Sequence, residues 1–169
     1  MAEGLIQDKM ARPEGDELTP EAVKNGIQIP PDMQEAYDRV VVAGMKLMFS
    51  KETHRIMLKE MQKQGPLSQR LGRGVAGLML IMVKESNNTM PPQIIIPAGV
   101  ELLMQAVDFM KKTDMANPTN EEIGQAMQIM ITTILEKFGV DPAKFEQMLN
   151  QFDNTNVDAA MQQQMGDAA

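Results

Sequence analysis

The sequence predicts an all-α fold, a bundle of five or six helices with an extended N-terminal arm and a disordered C-terminal tail. Three observations support this prediction. Apolar residues between positions 32 and 152 recur every three or four residues, the period of helices with one buried face. Prolines, glycines and capping residues divide that region into helix-sized segments. The one short β-branched run, Ile94 to Ile96, has no second run with which to pair.

Composition narrows the function classes. With 169 residues and 43% apolar content, the chain has room for one core. The absence of cysteine excludes disulfides, Cys-ligated zinc, iron–sulfur centres and thiol nucleophiles, and the single His54 excludes any site that needs two imidazoles. We therefore expect no enzymatic activity, no metal and no cofactor. The longest apolar run, Val75 to Val83, is shorter than the ~20 residues of a membrane span, and no secretory signal is expected.

Three regions are predicted: an arm over 1–31, a helical domain over 32–152 and a polar, Gln-rich tail over 153–169. Acidic residues, prolines and glycines crowd the arm. Within it, Thr19 and Pro20 suit the cap and first position of one short helical turn.

The first two predicted helices cover Asp32 to Phe49 and Lys51 to Gln64. Asp32 is the expected N-cap of the first helix, and Ser50 that of the second. Gly65 and Pro66 end the second helix, because glycine suits a helix end and proline cannot continue one.

The third helix is predicted over Leu67 to Ser86. Val75 to Val83 is apolar on all sides, which predicts that this is the central helix. The fourth runs from Pro92 to Lys112. Ile94 to Ile96 alone would suit a buried strand, but Pro97 follows directly and favours a helix with a mild bend.

The fifth helix begins with a capping box, in which Thr119 precedes Glu122 by three residues, and it ends at Gly139. Asp141 and Pro142 suit the cap and first residue of a short sixth helix. Its inner face would hold Phe145, Met148, Leu149 and Phe152.

Charge is distributed unevenly along the chain, whose net charge is −7. Residues 33–87 carry nine basic and five acidic side chains, whereas both flanking regions are acidic. Cations recur every four residues on one side of the second helix, with others close by in sequence; we call this set the basic ridge, and it comprises Lys46, Lys51, Arg55, Lys59, Lys63, Arg70 and Arg73. The ridge is either a solvated helix face or a docking surface for an acidic protein or packaged DNA.

Gly72, Gly74 and Gly77 match the letters of the dinucleotide fingerprint G-x-G-x-x-G. That fingerprint requires a preceding strand, whereas the residues before Gly72 are predicted to be helical. Close packing of a neighbouring helix, or a hinge, is the interpretation that we favour over nucleotide binding.

His54 has no partner for a metal site or catalytic triad, so we expect a structural role. Glu121–Glu122 and Asp114 could form a carboxylate pair, but the capping box explains Glu122, and helix-start electrostatics explain the other two. The 18 methionines are either ordinary core residues or part of a surface that repacks against several partners.

The arm holds six apolar residues that we expect to lie in a groove of a neighbouring copy: Leu5, Ile6, Leu18, Val23, Ile27 and Ile29. The acidic arm of one copy would reach the basic ridge of the next, as in a ring. Removing residues 1–30 is then expected to lower self-association and leave the helical core folded.

Three stretches, Tyr37 to Lys46, Met90 to Pro97 and Lys137 to Pro142, resemble small Met- and Gln-rich helical virion proteins of tailed bacteriophages, encoded beside the portal. The resemblance covers about Asp32 to Phe152 and includes no catalytic motif. It implies a structural protein, assembled in the host cytoplasm and located in the virion near the portal or head–tail junction, or inside the head and ejected. Its partners would be other virion proteins, and it would be present in multiple copies. The alternatives are a scaffolding or assembly chaperone of the head and a nucleotide-binding regulator.

Overall fold

The computed structural model describes residues 18–141 and 143. This part of the chain is helical, without strands, which confirms the all-α prediction. Its six α-helices are α1 (Pro20–Gly26), α2 (Gln34–Met48), α3 (Lys51–Gln62), α4 (Leu67–Glu85), α5 (Pro92–Lys112) and α6 (Asn120–Lys137), and a 3-10 turn at Pro31–Met33 precedes α2.

Two helices share the centre of the bundle. α4 packs along α6 in the most extensive contact of the fold and also meets α2, α3 and α5. α5 contacts α1, α2, α4 and α6, and it buries eleven of its residues against nine for α4. The sequence predicted α4 as the central helix, whereas α4 and α5 share the central position. The apolar run of α4 is not buried on every side, because Ile81 is exposed.

The core is built from aliphatic side chains and methionines. Six methionines are buried: Met48, Met79, Met82, Met104, Met110 and Met130. Each fully buried large apolar side chain contributes roughly 1.5–3 kcal/mol relative to exposure. The ordinary-core interpretation thus holds for these six, while Met148 lies outside the described residues.

Glycines allow close approach where helices cross. A Cβ added to Gly72 on α4 would lie 2.5 Å from the carbonyl oxygen of Ala126 on α6. One added to Gly99 on α5 would meet the Met130 sulfur at 3.1 Å. The side chain of Leu102 fills the space beside Gly44 in the same way. These positions bring α2, α4, α5 and α6 together more closely than alanine would permit.

The helix starts agree with the sequence at three of the five predicted caps. Thr19 caps α1, Ser50 caps α3, and Thr119 with Glu122 forms the complete capping box of α6. Asp32 was expected to cap α2, and this is wrong. It lies inside the 3-10 turn, whose proline start displaces the first α-helical residue to Gln34, and Met33 occupies the cap position without a side-chain hydrogen bond.

α5 continues through Pro97, as predicted in preference to a strand. α6 ends in a Schellman motif: Gly139 adopts φ +67°, and the Val140 N–H donates to the Leu135 carbonyl at 2.9 Å. Beyond it, Asp141 Oδ1 accepts a hydrogen bond from the Ala143 N–H at 2.9 Å. The rest of the predicted sixth helix, the tail and residues 1–17 of the arm lie outside the described residues.

Candidate docking surface on α3

α3 follows α2 after a two-residue connection, Phe49 and Ser50, which we call the α2–α3 corner. α2 ends at Met48, and after Phe49 the Ser50 hydroxyl accepts a hydrogen bond from the Thr53 N–H at 3.3 Å, which starts α3. None of the residues of α3 is fully buried. Met57 and Met61 pack partly buried against the core, and α3 contacts α2 and α4 and, through His54, Phe109 of α5. α3 is thus an amphipathic helix laid on the surface of the bundle.

The outer side of α3 is basic. Lys51, Arg55, Lys59 and Lys63 are all exposed, and the spacing of four residues keeps the first three on one side of the helix. Lys63 follows the last residue of α3 and pairs with Glu60 on that helix. Lys46 on α2 and Arg73 on α4 are exposed as well. The predicted ridge therefore exists as a solvent-facing row on α3 with exposed cations on the adjoining helices.

Arg70 does not belong to this exposed row. Its Nη1 donates to the Met61 carbonyl at the end of α3, and its Nε is buried without a partner among the described residues. The side chain therefore fastens the start of α4 to the end of α3. Sequence proximity alone had placed it on the ridge.

Apolar side chains accompany the cations. Ile56 is 58% exposed between them, and Phe49 at the α2–α3 corner is also exposed. Phe49 packs edge-on against Phe109 of α5, with ring centroids 5.1 Å apart. The surface of α3 therefore combines a row of cations with an exposed aliphatic residue and an exposed aromatic residue.

A small apolar pocket lies beneath the inner side of α3. His54 lies edge-to-face with Phe109, at 6.3 Å between ring centroids, and is half-buried. Five methionines line the same pocket: Met48, Met57, Met61, Met110 and Met115. This environment gives His54 a packing role, as the sequence suggested.

A buried polar cluster that the sequence analysis missed links α1, α2 and α5. Glu101 is buried on α5. Its Oε2 accepts a hydrogen bond from the Tyr37 hydroxyl, and its Oε1 lies 3.7 Å from Lys24 Nζ. Burial, and then the hydrogen bond and charge of Glu101, raise the pKa of Tyr37 above its usual range. A lone carboxylate in the apolar stretch from Ala98 to Met104 is the feature that could have disclosed it.

The described part of the arm packs on its own chain. Leu18, Val23, Ile27 and Ile29 are partly buried against the core, and the Leu18 N–H donates to Asn120 Oδ1 at 3.2 Å. The prediction that these four lie in a neighbour's groove is corrected accordingly, and the folded unit begins before residue 32. Leu5 and Ile6 lie outside the described residues.

The glycine motif does not form a phosphate-binding loop. Gly72, Gly74 and Gly77 all lie inside α4, where backbone N–H groups bond along the helix instead of pointing at a ligand. Only Gly72 meets a close neighbour; an added Cβ at Gly74 or Gly77 would enter open space.

No catalytic arrangement of side chains is visible in the region from 18 to 141. It contains no group of three or more His, Asp or Glu side chains arranged to hold a metal ion. Glu122 belongs to the capping box, Glu121 accepts from Gln125 on the same helix, and Asp114 has the left-handed conformation just after α5.

Within the same region, α5 is the one helix long and apolar enough to span a membrane, yet 61% of its apolar window is buried inside the fold. A core helix has this same length and composition, so α5 gives no argument for a membrane.

Comparison with known proteins found no matching family model, no matching curated protein and no matching solved structure. The surface on α3 is therefore interpreted from its own charge, exposure and packing.

Proposed function

We propose that the protein is a non-enzymatic assembly component of a bacteriophage particle, at the portal or head–tail junction or inside the head, and that it docks through α3 on an acidic protein surface. The observation that carries the docking is the exposed row of cations on a helix with no fully buried residue. The particle is suggested by the resemblance of three sequence stretches to phage virion proteins.

The charges on α3 favour an acidic partner. Like charges four residues apart repel by a few tenths of a kcal/mol per pair, and Glu52 and the Glu60–Lys63 ion pair offset part of this repulsion. An acidic surface would offset this repulsion and guide the encounter, while Ile56 and Phe49 would supply apolar contact beside the cations.

Protein fits this surface better than packaged DNA does. The chain as a whole carries a net charge of −7, which opposes approach to a polyanion. Phe49, the aromatic residue at the start of the ridge, is engaged with Phe109 and is not presented as a stacking platform.

The test is incorporation into particles. We expect the chain in purified virions, and we expect the double reversal Arg55→Glu/Lys59→Glu to abolish its incorporation. The matched control is Lys84→Glu/Lys137→Glu, which changes the net charge equally at exposed positions at the ends of α4 and α6. Equal incorporation of both variants would contradict docking through α3, and absence of the chain from every particle form would contradict the virion role.

The same surface suits a scaffolding or assembly chaperone, which leaves before maturation. Immature and mature particles separate the two roles. A chain that is present in the immature particle and lost from the mature one is a scaffold, whereas a chain that is retained is a virion component.

A further inference from the structure

An open apolar groove lies at the end of the bundle away from α3. It has a volume of about 380 Å³ and is lined by the end of α4, the start of α5 and the end of α6. Asn88 is the one polar lining residue, and the others are aliphatic, aromatic, methionine or proline side chains. Phe138 and Val140 on its wall remain 44% and 38% exposed, so the described residues leave apolar surface in water.

The chain leaves the described fold at this groove. The Schellman motif at Gly139 turns the backbone after α6 so that Val140 and Leu135, which its hydrogen bond joins, both line the groove. Asp141 then accepts the Ala143 N–H, the pattern of a residue that caps a helix start. The described chain therefore passes the groove at Val140 and continues with a residue whose hydrogen bond is typical of a helix cap.

We propose that residues 144–152 of the same chain fill this groove. Phe145, Met148, Leu149 and Phe152 recur at the spacing of one helical face, and this is the face that an uncharged apolar groove accepts. The proposal does not rest on the docking function, because the groove and the α3 surface lie at opposite ends of α5.

The short distance along the chain and the volume of the groove both support a segment of the same chain as its occupant. Phe145 follows Val140 by five residues, which span at most about 17 Å when extended, so the segment meets the groove without a long linker. The volume is near the lower end of cavities that enclose small organic groups, roughly 300–1,000 Å³. It therefore accepts inserted side chains from a helix that lies across the opening.

The first experiment uses methyl NMR on the full chain. We expect contacts between the Phe145 ring and the methyl groups of Ile95, Ile96 and Ile134, which line the groove, and none to Ile56 on α3. These contacts should persist when labelled protein is diluted with unlabelled protein. Their loss on dilution would assign the groove to a second copy, and their absence would leave it to another partner; either result overturns the proposal.

The second experiment compares two double variants of the full chain. Phe145→Ser/Leu149→Ser should shift the three groove methyl signals and lower Tm by roughly 5 °C. Gln147→Ser/Asn150→Ser, on the opposite face of the predicted helix, should do neither. Equal Tm and equal spectra for the two variants would overturn the proposal. If Phe145→Ser/Leu149→Ser unfolds, the NMR contacts of Phe145 in the unaltered chain still test the proposal.

Discussion

The Tyr37 hydroxyl donates a hydrogen bond to Glu101 Oε2 inside the bundle, and this bond joins α2 to α5. Lys24 approaches the other carboxylate oxygen from α1. A buried carboxylate is tolerated only when its charge and hydrogen-bonding capacity are satisfied. Three helices therefore meet at Glu101.

Tyr37→Phe should lower the free energy of unfolding by about 1–3 kcal/mol, because it leaves Glu101 Oε2 buried without its donor. Urea unfolding followed by circular dichroism measures the change. Arg39→Ala is the control: it removes an exposed ion pair with Glu35 on the same helix and should cost less than about 1 kcal/mol. Equal losses for the two variants would contradict a specific role for the Tyr37 hydroxyl.

Tyr37 should also make the fold sensitive to alkaline pH. Since folding raises its pKa, its stabilising contribution is fully present below the unfolded value of about 10 and is lost as pH rises above it. Tyr37 is the only tyrosine and the chain has no tryptophan, so tyrosinate absorbance reports this residue alone. We expect Tyr37→Phe to flatten the fall in stability above about pH 10. An ionisation curve that matches the unfolded chain would contradict the raised pKa.

Local patterns predicted the helices well, and tertiary contacts account for what they missed. Ser50 and Thr119 were predicted because a cap bonds within three residues of itself. The role of Glu101 depends on Tyr37, 64 positions away, and no local pattern encodes that pairing. Arg70 follows the ridge in sequence, but its helix directs it toward the Met61 carbonyl.

The packing of α1 on the core was also missed, because it depends on tertiary contacts. Its apolar residues are too few to suggest a buried face, and they gain their value only from the surface of α5 against which they pack. Thr19 and Pro20 correctly indicated where the helix starts, but not that it joins the core.

Gly72→Ala and Gly74→Ala should have opposite effects on stability. At Gly72 the added methyl would meet the Ala126 carbonyl oxygen, so α4 and α6 must separate, at a cost of about 1–3 kcal/mol. At Gly74 the methyl enters open space, and replacing a helical glycine should stabilise by roughly 0.5–1 kcal/mol. Thermal unfolding of the two variants measures both effects. A destabilised Gly74→Ala variant would indicate that this position also needs its glycine, for a contact or for a hinge.

Removing residues 1–17 and removing residues 1–30 should have different consequences. Residues 1–17 contain five acidic and two basic side chains, together with Leu5 and Ile6, and the arm-to-ridge prediction now rests on them. The longer deletion also removes α1, the Lys24–Glu101 ion pair and the packing of Val23 and Ile27 on the core. The shorter truncation therefore tests association, and the longer one tests the fold.

We expect the chain without residues 1–17 to keep its helical content and Tm but to self-associate less, because the acidic segment that would meet the ridge is gone. Sedimentation velocity measures the association, and its electrostatic part should weaken in the full chain as salt rises above about 0.15 M, where screening acts within about 8 Å. The chain without residues 1–30 should show a clearly lowered Tm, since Glu101 loses its cation and the α5 surface is exposed. Identical association of the full chain and the shorter truncation would rule out arm-to-ridge contacts. An unchanged Tm after the longer deletion would show that α1 adds little to the core.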